Sequence, residues 1–374
     1  EKFMKTLDTY YVKEVEIPEG YKDPGTVWTV KPEKGDVVQL NVENTPIRCD
    51  VSADKKDSET GDEAQGDATL EGATYGLYAA EDIKYPDGTG VVTYKSTDPI
   101  TSSKGTDFKF LEVAATKDTL LATVKTDVDS DFAFGNLYFG NYYIKEIEES
   151  EGYLLDSTIY DVKFREAQNV HQDISLTREV KETVIKQPFE IIKVSTDGDN
   201  DETEKVPGAE FTVKLQSDID KSGWEQAKTY DVLVTNERGY AKSIDLPYGT
   251  YLVKETKVPK DLYKTDDFTV TVTEDSREPQ VWRILNDAPF EAYIRFVKKD
   301  KESGETVLLS GVTFKIKKAG ADTFVEQKVG DKKISEFITD ETGTVTTPLK
   351  LKYGEYEVTE ITAPEGYLIT KESF

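Results

Sequence analysis

Three residues have the types and spacing to make a bond among themselves: Lys193, Glu255 and Asn286. Lys193 ends an apolar run, Phe189-Glu-Ile-Ile-Lys193, and keeps the parity of Phe189 and Ile191. Side chains of a strand alternate faces with period two, so this lysine points toward the core. An unpaired charge there is costly. Burial favours a neutral amine, which is nucleophilic, and a protonated carboxyl, which can donate a hydrogen bond. Such a glutamate can polarise an asparagine carboxamide and shuttle the proton that the amine gives up. A core that holds amine and carbonyl together removes up to roughly 7–11 kcal/mol of barrier in well-oriented cases. The product is a Lys–Asn amide, with ammonia lost and a buried ammonium abolished. The competing reading is an ion pair, or a lysine that snorkels its head to water. The joint spacing favours the reaction.

The same constellation recurs in part. Lys298 and Glu360 stand 62 positions apart, as do Lys193 and Glu255. Their asparagine is expected 31 positions after Glu360, beyond the end of the chain. Glu14 and Asn44 are 30 apart, against 31 for Glu255 and Asn286, and their lysine is expected upstream. Lys55 keeps the parity of Val51 and Ala53, but Glu146 follows it by 91 positions. Adding 31 to Glu146 lands on Thr177, and Asn169 and Asp173 are out of register. No ordinary Lys–Asn bond is expected there; Asp173 is the best substitute.

Each proposed catalytic glutamate (Glu14, Glu146, Glu255, Glu360) ends an aromatic strand. These strands read Tyr10-Tyr-Val-Lys-Glu14, Tyr142-Tyr-Ile-Lys-Glu146, Tyr251-Leu-Val-Lys-Glu255 and Tyr356-Glu-Val-Thr-Glu360. Pro18, Pro259 and Pro364 follow three of them, and Gly-Tyr pairs follow Glu14, Glu146 and Glu360. An internal repeat decides the fold before anything else. Thr-Asx turns at Thr126-Asp127, Thr235-Asn236 and Thr339-Asp340 precede the glycines of Phe139-Gly140, Tyr248-Gly249 and Tyr353-Gly354 by 14, 14 and 15 positions. Further upstream come Gly72-Ala-Thr-Tyr75, Gly208-Ala-Glu-Phe211 and Gly311-Val-Thr-Phe314. Val37–Val42, Phe268–Thr273 and Tyr293–Val297 alternate as strands do, and turn signals separate them. The reading is all-β, with tandem Greek-key β-sandwich modules in an elongated rod. The modules are the back half of one at 1–47, a long one with an insertion at 48–186, a compact one at 187–289, and one lacking its last strand at 290–374. Pro188 and Pro289 mark short linkers of limited flexibility.

Composition bounds the partners. The 374 residues carry a formal charge of −26, which repels nucleic acid and anionic membrane. No apolar stretch is long enough to span a bilayer. Cys49 and His171 are each the sole residue of their type, so one chain forms neither a disulfide nor a Cys/His zinc site. The start at Glu1 reads as mid-protein. Asp127–Asp131 and Asp197–Asp201 suggest calcium, but both lack the glycine and glutamate of an EF-hand loop, so they read as solvated turns. His171 reads as a surface histidine, and Trp28, Trp224 and Trp282 as packing residues rather than a sugar site. No turnover-enzyme constellation is visible, and no cofactor or metal is expected.

With these motifs quoted, the chain resembles the collagen-adhesin B-type (Cna-B or SpaA-like) prealbumin-fold domains of Gram-positive surface proteins and pilins. The lysine-ending first strand, the Gly-Ala-x-Phe strand and the Tyr-x-Val-x-Glu…Pro-x-Gly-Tyr motif, called the E-box in pilins, carry the resemblance over nearly the whole chain. It implies autocatalytic intramolecular isopeptide bonds, with Lys and Asn (or Asp) linked and the E-box glutamate promoting. It implies an extracellular stalk, anchored to the cell wall through regions outside this segment. Neither a sorting signal nor a pilin-linking lysine motif is found here. The alternative is an adhesin head, in which the inserted loops of 48–186 bind a host matrix protein or glycan. Tyr85, Tyr94 and the stretch 97–106 are the contact candidates.

Overall fold

The computed structural model describes residues 9–32, 37–167, 171–196, 203–259, 262–287, 291–352 and 354–369. Strands dominate them; the helical pieces are Gln216–Ser222 and a short 3-10 turn at Phe164–Glu166. The all-β expectation holds.

Residues 47–182 form two sheets around one core. The first orders Ile174–Glu182, Arg48–Asp57 and Asp131–Tyr138. The second orders Thr106–Phe110, Leu120–Lys125, Thr74–Ala79, Asn141–Glu148 and Ile159–Lys163. Inward residues of both sheets, among them Val51, Ala53, Tyr75, Phe132, Phe134 and Ile144, are buried together. The residues between 80 and 118 are drawn into this core rather than left as free loops: Ile83, Val92, Tyr94, Ile100 and Ala115 are all buried.

Residues 189–287 repeat the plan more compactly. Phe189–Thr196 is flanked by Tyr240–Lys242 and by the last strand, Gln280–Asp287. Opposite lies the sheet Thr229–Val234, Glu210–Leu215, Gly249–Lys257 and Phe268–Val272. In both units the lysine-bearing first strand runs parallel to, and pairs with, the last strand. A bond between those two strands therefore joins the two ends of the unit. In the third unit, Arg295–Val297 pairs Thr344–Thr346, and Thr313–Lys318 pairs both Phe337–Ile338 and Tyr356–Thr362.

The repeated Thr-Asx pair has a structural cause. Thr126, Thr235 and Thr339 are buried. Each hydroxyl accepts from a backbone amide (Ala73, Ala209, Val312) and donates to a carbonyl (Leu70, Val206, Leu309) at 2.8–3.1 Å. The following Asx accepts amides of its own turn, as Asp127 does from Asp129 and Asp131 and Asn236 from Arg238 and Tyr240. Asp127 is thus spent on its turn and on the Gly105 amide. The other acidic run, Asp197–Asp201, falls outside the described residues. The leading E-box tyrosines also act alike. Tyr142, Tyr251 and Tyr356 each donate to the carbonyl four residues back, at 2.7–2.8 Å.

Two expectations change. Residues 37–42 join no ladder among the described residues, and Val37 is fully solvated, so their alternation alone made no strand. Tyr94 is 1 % exposed; its hydroxyl meets Tyr142 and accepts the Tyr138 amide. Tyr85 is half-buried and meets the Tyr138 ring edge-on. Tyr94 thus packs the insertion onto the core and is closed to an outside ligand, whereas Tyr85 keeps part of its surface exposed.

Candidate functional site

The inward lysines lie where the two sheets meet the last strand. Lys193 is fully buried, and its Nζ is 3.9 Å from Glu255 Oε1. The E-box strand lies in the facing sheet, where Phe211 pairs Glu255, and the Lys193 ammonium sits 5.9 Å from the Phe211 ring centre. Glu255 Oε2 accepts the Thr265 amide at 2.7 Å, which fixes the carboxyl and turns Oε1 toward the lysine. On the other side, the last strand sets Leu285 across from Lys193 and Asn286 across from Val194, after an irregularity between Ile191 and Lys193. The Asn286 backbone is thus one position from the lysine; its side chain lies outside the described residues.

Lys298 and Glu360 repeat the pair in the third unit, at 2.7 Å, with side chains 12 % and 4 % exposed. A groove lined by Phe296, Lys298, Phe314, Val358 and Glu360 opens beside them. Glu14 and Asn44 also meet: Asn44 Nδ2 donates to Glu14 Oε1 at 3.1 Å. Glu14 Oε2 and Asn44 Oδ1 are buried and hydrogen-bond nothing among the described residues.

The long unit departs from this pattern. Lys55 and Glu146 are fully buried, 3.8 Å apart, and Glu146 Oε2 accepts the Asp156 amide at 2.6 Å, as Glu255 does from Thr265. Asp173 is elsewhere: it pairs with Lys22 at 2.6 Å, accepts the Arg48 amide and is half-exposed. Thr177 lies on the outer face beside Ser52. Asn169 falls outside the described residues. The group at Lys55 is instead Glu182, whose Oε2 is 2.6 Å from Nζ. Glu182 is buried and continues the inward parity of Ile174 and Val180. It had a sequence signal, since it is a charge on the apolar parity at a strand end, as Lys55 is.

Burial, and then its contact with the Glu182 carboxyl, pushes the Glu146 pKa up to about 9. Glu146 therefore carries a proton at neutral pH, as an acid that hands over protons must.

The other sequence candidates have structural roles. Trp282 packs tilted against Phe268, and the Lys214 and Lys254 ammoniums lie over the Trp224 ring. The half-buried His171 ring meets the Tyr21 carbonyl at 3.0 Å. Among the described residues no helix is long and apolar enough to cross a membrane.

The model of the SpaA prealbumin-like fold domain matches three times, at residues 51–179, 188–283 and 292–374. No curated protein matches significantly. Among solved structures, the Bacillus anthracis TIE protein is similar over 88 % of this chain, at 23 % identity and TM-score 0.50. The chain spans 48 % of that structure's length. The major pilin subunit of Bacillus cereus (14 % identity, 87 % of this chain and 94 % of that one, TM-score 0.33) also matches. So does a streptococcal ancillary pilin (14 % identity, 87 % and 94 %, TM-score 0.28).

Proposed function

We propose that this chain, which belongs to the SpaA prealbumin-like fold domain family, is a stalk segment of a Gram-positive cell-surface adhesin or pilin, stiffened by Lys–Asn amides that it forms in its own core. The observation that carries the reading is the buried Lys193–Glu255 pair, with the backbone of Asn286 one position away on the parallel last strand.

In this reading Glu255 hydrogen-bonds the Asn286 carboxamide and polarises it. The Lys193 amine attacks the carboxamide carbon, Glu255 relays a proton to the leaving nitrogen, and ammonia departs. The reaction runs once per molecule and turns over no substrate. Lys298 with Glu360, and Glu14 with Asn44, are two-thirds of the same site. Because the bond ties the first strand to the last, a pull on the chain loads an amide instead of a sheet edge. The formal charge of −26 suits a solvated stalk.

Intact-mass measurement tests the reading, because each Lys–Asn bond removes about 17 Da as ammonia. A digest should yield a branched peptide that joins the Lys193 and Asn286 strands, and Glu255→Ala should abolish it. Linear peptides at full mass in the folded wild-type chain would refute the proposal.

A further inference from the structure

We infer that the 48–186 unit closes its own amide with a different acceptor, joining Lys55 Nζ to Cδ of Glu182. The inference goes beyond the Lys–Asn reading and stands on separate residues.

Two substitutions relative to the sister units converge on this site. The Gly-Ala-x-aromatic strand carries Phe211 and Phe314 elsewhere but Tyr75 here. Tyr75 is fully buried, and its hydroxyl donates a hydrogen bond to Glu182 Oε1. The fourth position after the E-box glutamate is Pro18, Pro259 or Pro364 elsewhere and Ser150 here. Lys55 Nζ donates to Ser150 Oγ at 2.5 Å, and Ser150 is 2 % exposed. Both added hydroxyls thus act on the pair that would react. Tyr75 holds the carboxyl by the oxygen that becomes the carbonyl, and Ser150 holds the amine. Glu182 Oε2 lies within 2.6 Å of Nζ but outside hydrogen-bond alignment, so the amine is beside the carboxyl group without being committed to that oxygen.

The atoms balance without a co-reactant. The Lys55 ammonium passes one proton to Glu182 Oε2, and its freed lone pair attacks Glu182 Cδ. Negative charge gathers on Oε1, where the Tyr75 hydroxyl meets it. Glu146 gives its proton to the Oε2 hydroxyl, which leaves as water, and takes a proton from the nitrogen. Glu146 ends protonated, as it began, and Oε1 becomes the amide carbonyl. A buried ammonium and a buried carboxylate vanish together, which removes their desolvation cost. Tyr75 and Ser150 are positioning residues; Lys55, Glu182 and Glu146 react or transfer protons.

The test is a digest of the full chain, read by tandem mass spectrometry at isotopic resolution. The expected result is a branched peptide joining the Lys55 and Glu182 strands, about 18 Da below the sum of its parts because water has left. Glu182→Ala should give none. Glu182→Gln should give the identical branched peptide, since loss of ammonia from glutamine yields the same amide. Tyr75→Phe restores the residue of the sister units and so should fold; it should slow linkage on the order of 100-fold, the loss typical of one oxyanion donor. Linear Lys55 and Glu182 peptides at full mass in folded wild-type protein would overturn the inference. Wild-type linkage speed in Tyr75→Phe would overturn the role given to Tyr75. The Lys193–Asn286 peptide is read in the same digest, so failure at one site is distinguishable from failure at the other.

Discussion

Asn286→Ala separates a cross-link from a polar contact by magnitude. Lys193 and Asn286 are 93 positions apart, and an amide between them closes nearly the whole unit into a loop. In the chain-entropy model, cross-linking a loop of about 100 residues stabilises by about 4.7 kcal/mol, chiefly by restricting the unfolded chain. The variant leaves Lys193 and Glu255 facing each other, so no charge is orphaned and the loss reports the bond. For a unit of about 100 residues, each kcal/mol shifts Tm by roughly 4–8 °C, so the transition of this unit should fall on the order of 20 °C or more. Were Asn286 only a hydrogen-bonding side chain, its removal would cost about 0.5–1.5 kcal/mol. Differential scanning calorimetry of the full chain, with intact mass on the same sample, distinguishes the two. One transition should move while those of the other units stay. A shift under about 5 °C, a size that the hydrogen-bond alternative allows, would refute the reasoning.

Three further outcomes follow from the repeats. Ser130 holds φ 66°, where the sister units place Gly239 and Gly343, and its carbonyl accepts the Lys55 amide. Ser130→Gly should therefore stabilise the long unit. The relief of about 1–2 kcal/mol is partly offset by about 0.5–1 kcal/mol from glycine's freer unfolded chain, and thermal unfolding reads the difference. Glu146 has a folded pKa raised to about 9 from an ordinary 4.5, so the protonated form is favoured by folding. The stability it contributes is full below about pH 4.5 and is lost as pH rises through 9. Burial, the first cause of the shift, persists whether or not Lys55 and Glu182 are joined, so the long unit's transition should fall as pH rises through that window, and Glu146→Gln should flatten the slope; equal slopes in both proteins would exclude Glu146 as the cause. Thr235→Val leaves the buried Ala209 amide and Val206 carbonyl without the hydroxyl that bridges them, and should cost about 1–3 kcal/mol by chemical denaturation.

Much of this was legible because strands write their faces into the sequence. The parity that placed Lys55 and Lys193 inward is the same parity that buries Val51, Ala53, Phe189 and Ile191. The near-constant interval from Thr-Asx to Gly was legible for a reason visible only in three dimensions: each threonine ties its turn to the strand that opens with Gly-Ala or Gly-Val. Spacing failed at Glu182. An interval carried over from Glu255 to Asn286 presumes equal loops between the E-box strand and the last strand. Here the last strand pairs Arg48–Asp57 along nine residues, and the inward carboxyl that reaches Lys55, that of Glu182 opposite Asp57, comes five residues later than Thr177. Parity along the strand, counted from Ile174, finds Glu182 where arithmetic along the chain does not. Tyr94 misled for the opposite reason, since an inserted segment suggests surface loops until its apolar residues are seen to enlarge the core.

The units are therefore better described by what their strands bring to one point than by the motif they share. In three units the first strand supplies an amine and the E-box strand a carboxyl, Lys55 with Glu146, Lys193 with Glu255 and Lys298 with Glu360. The last strand lies beside the first, and in the proposed reactions the acceptor it would carry is the variable part: a carboxamide in one unit, a carboxylate in another. A carboxylate is a poorer acceptor than a carboxamide of the same reach, because it must first take up a proton before an amine can attack it. That difference gives the additional hydroxyls of the long unit a purpose. Tyr75 donates to Glu182 and Ser150 accepts from Lys55, where the sister units have a phenyl ring and a proline side chain that can do neither. On this argument the two hydroxyls and the glutamate acceptor belong together, and replacing Glu182 by glutamine should make Tyr75 less necessary than it is for the native pair.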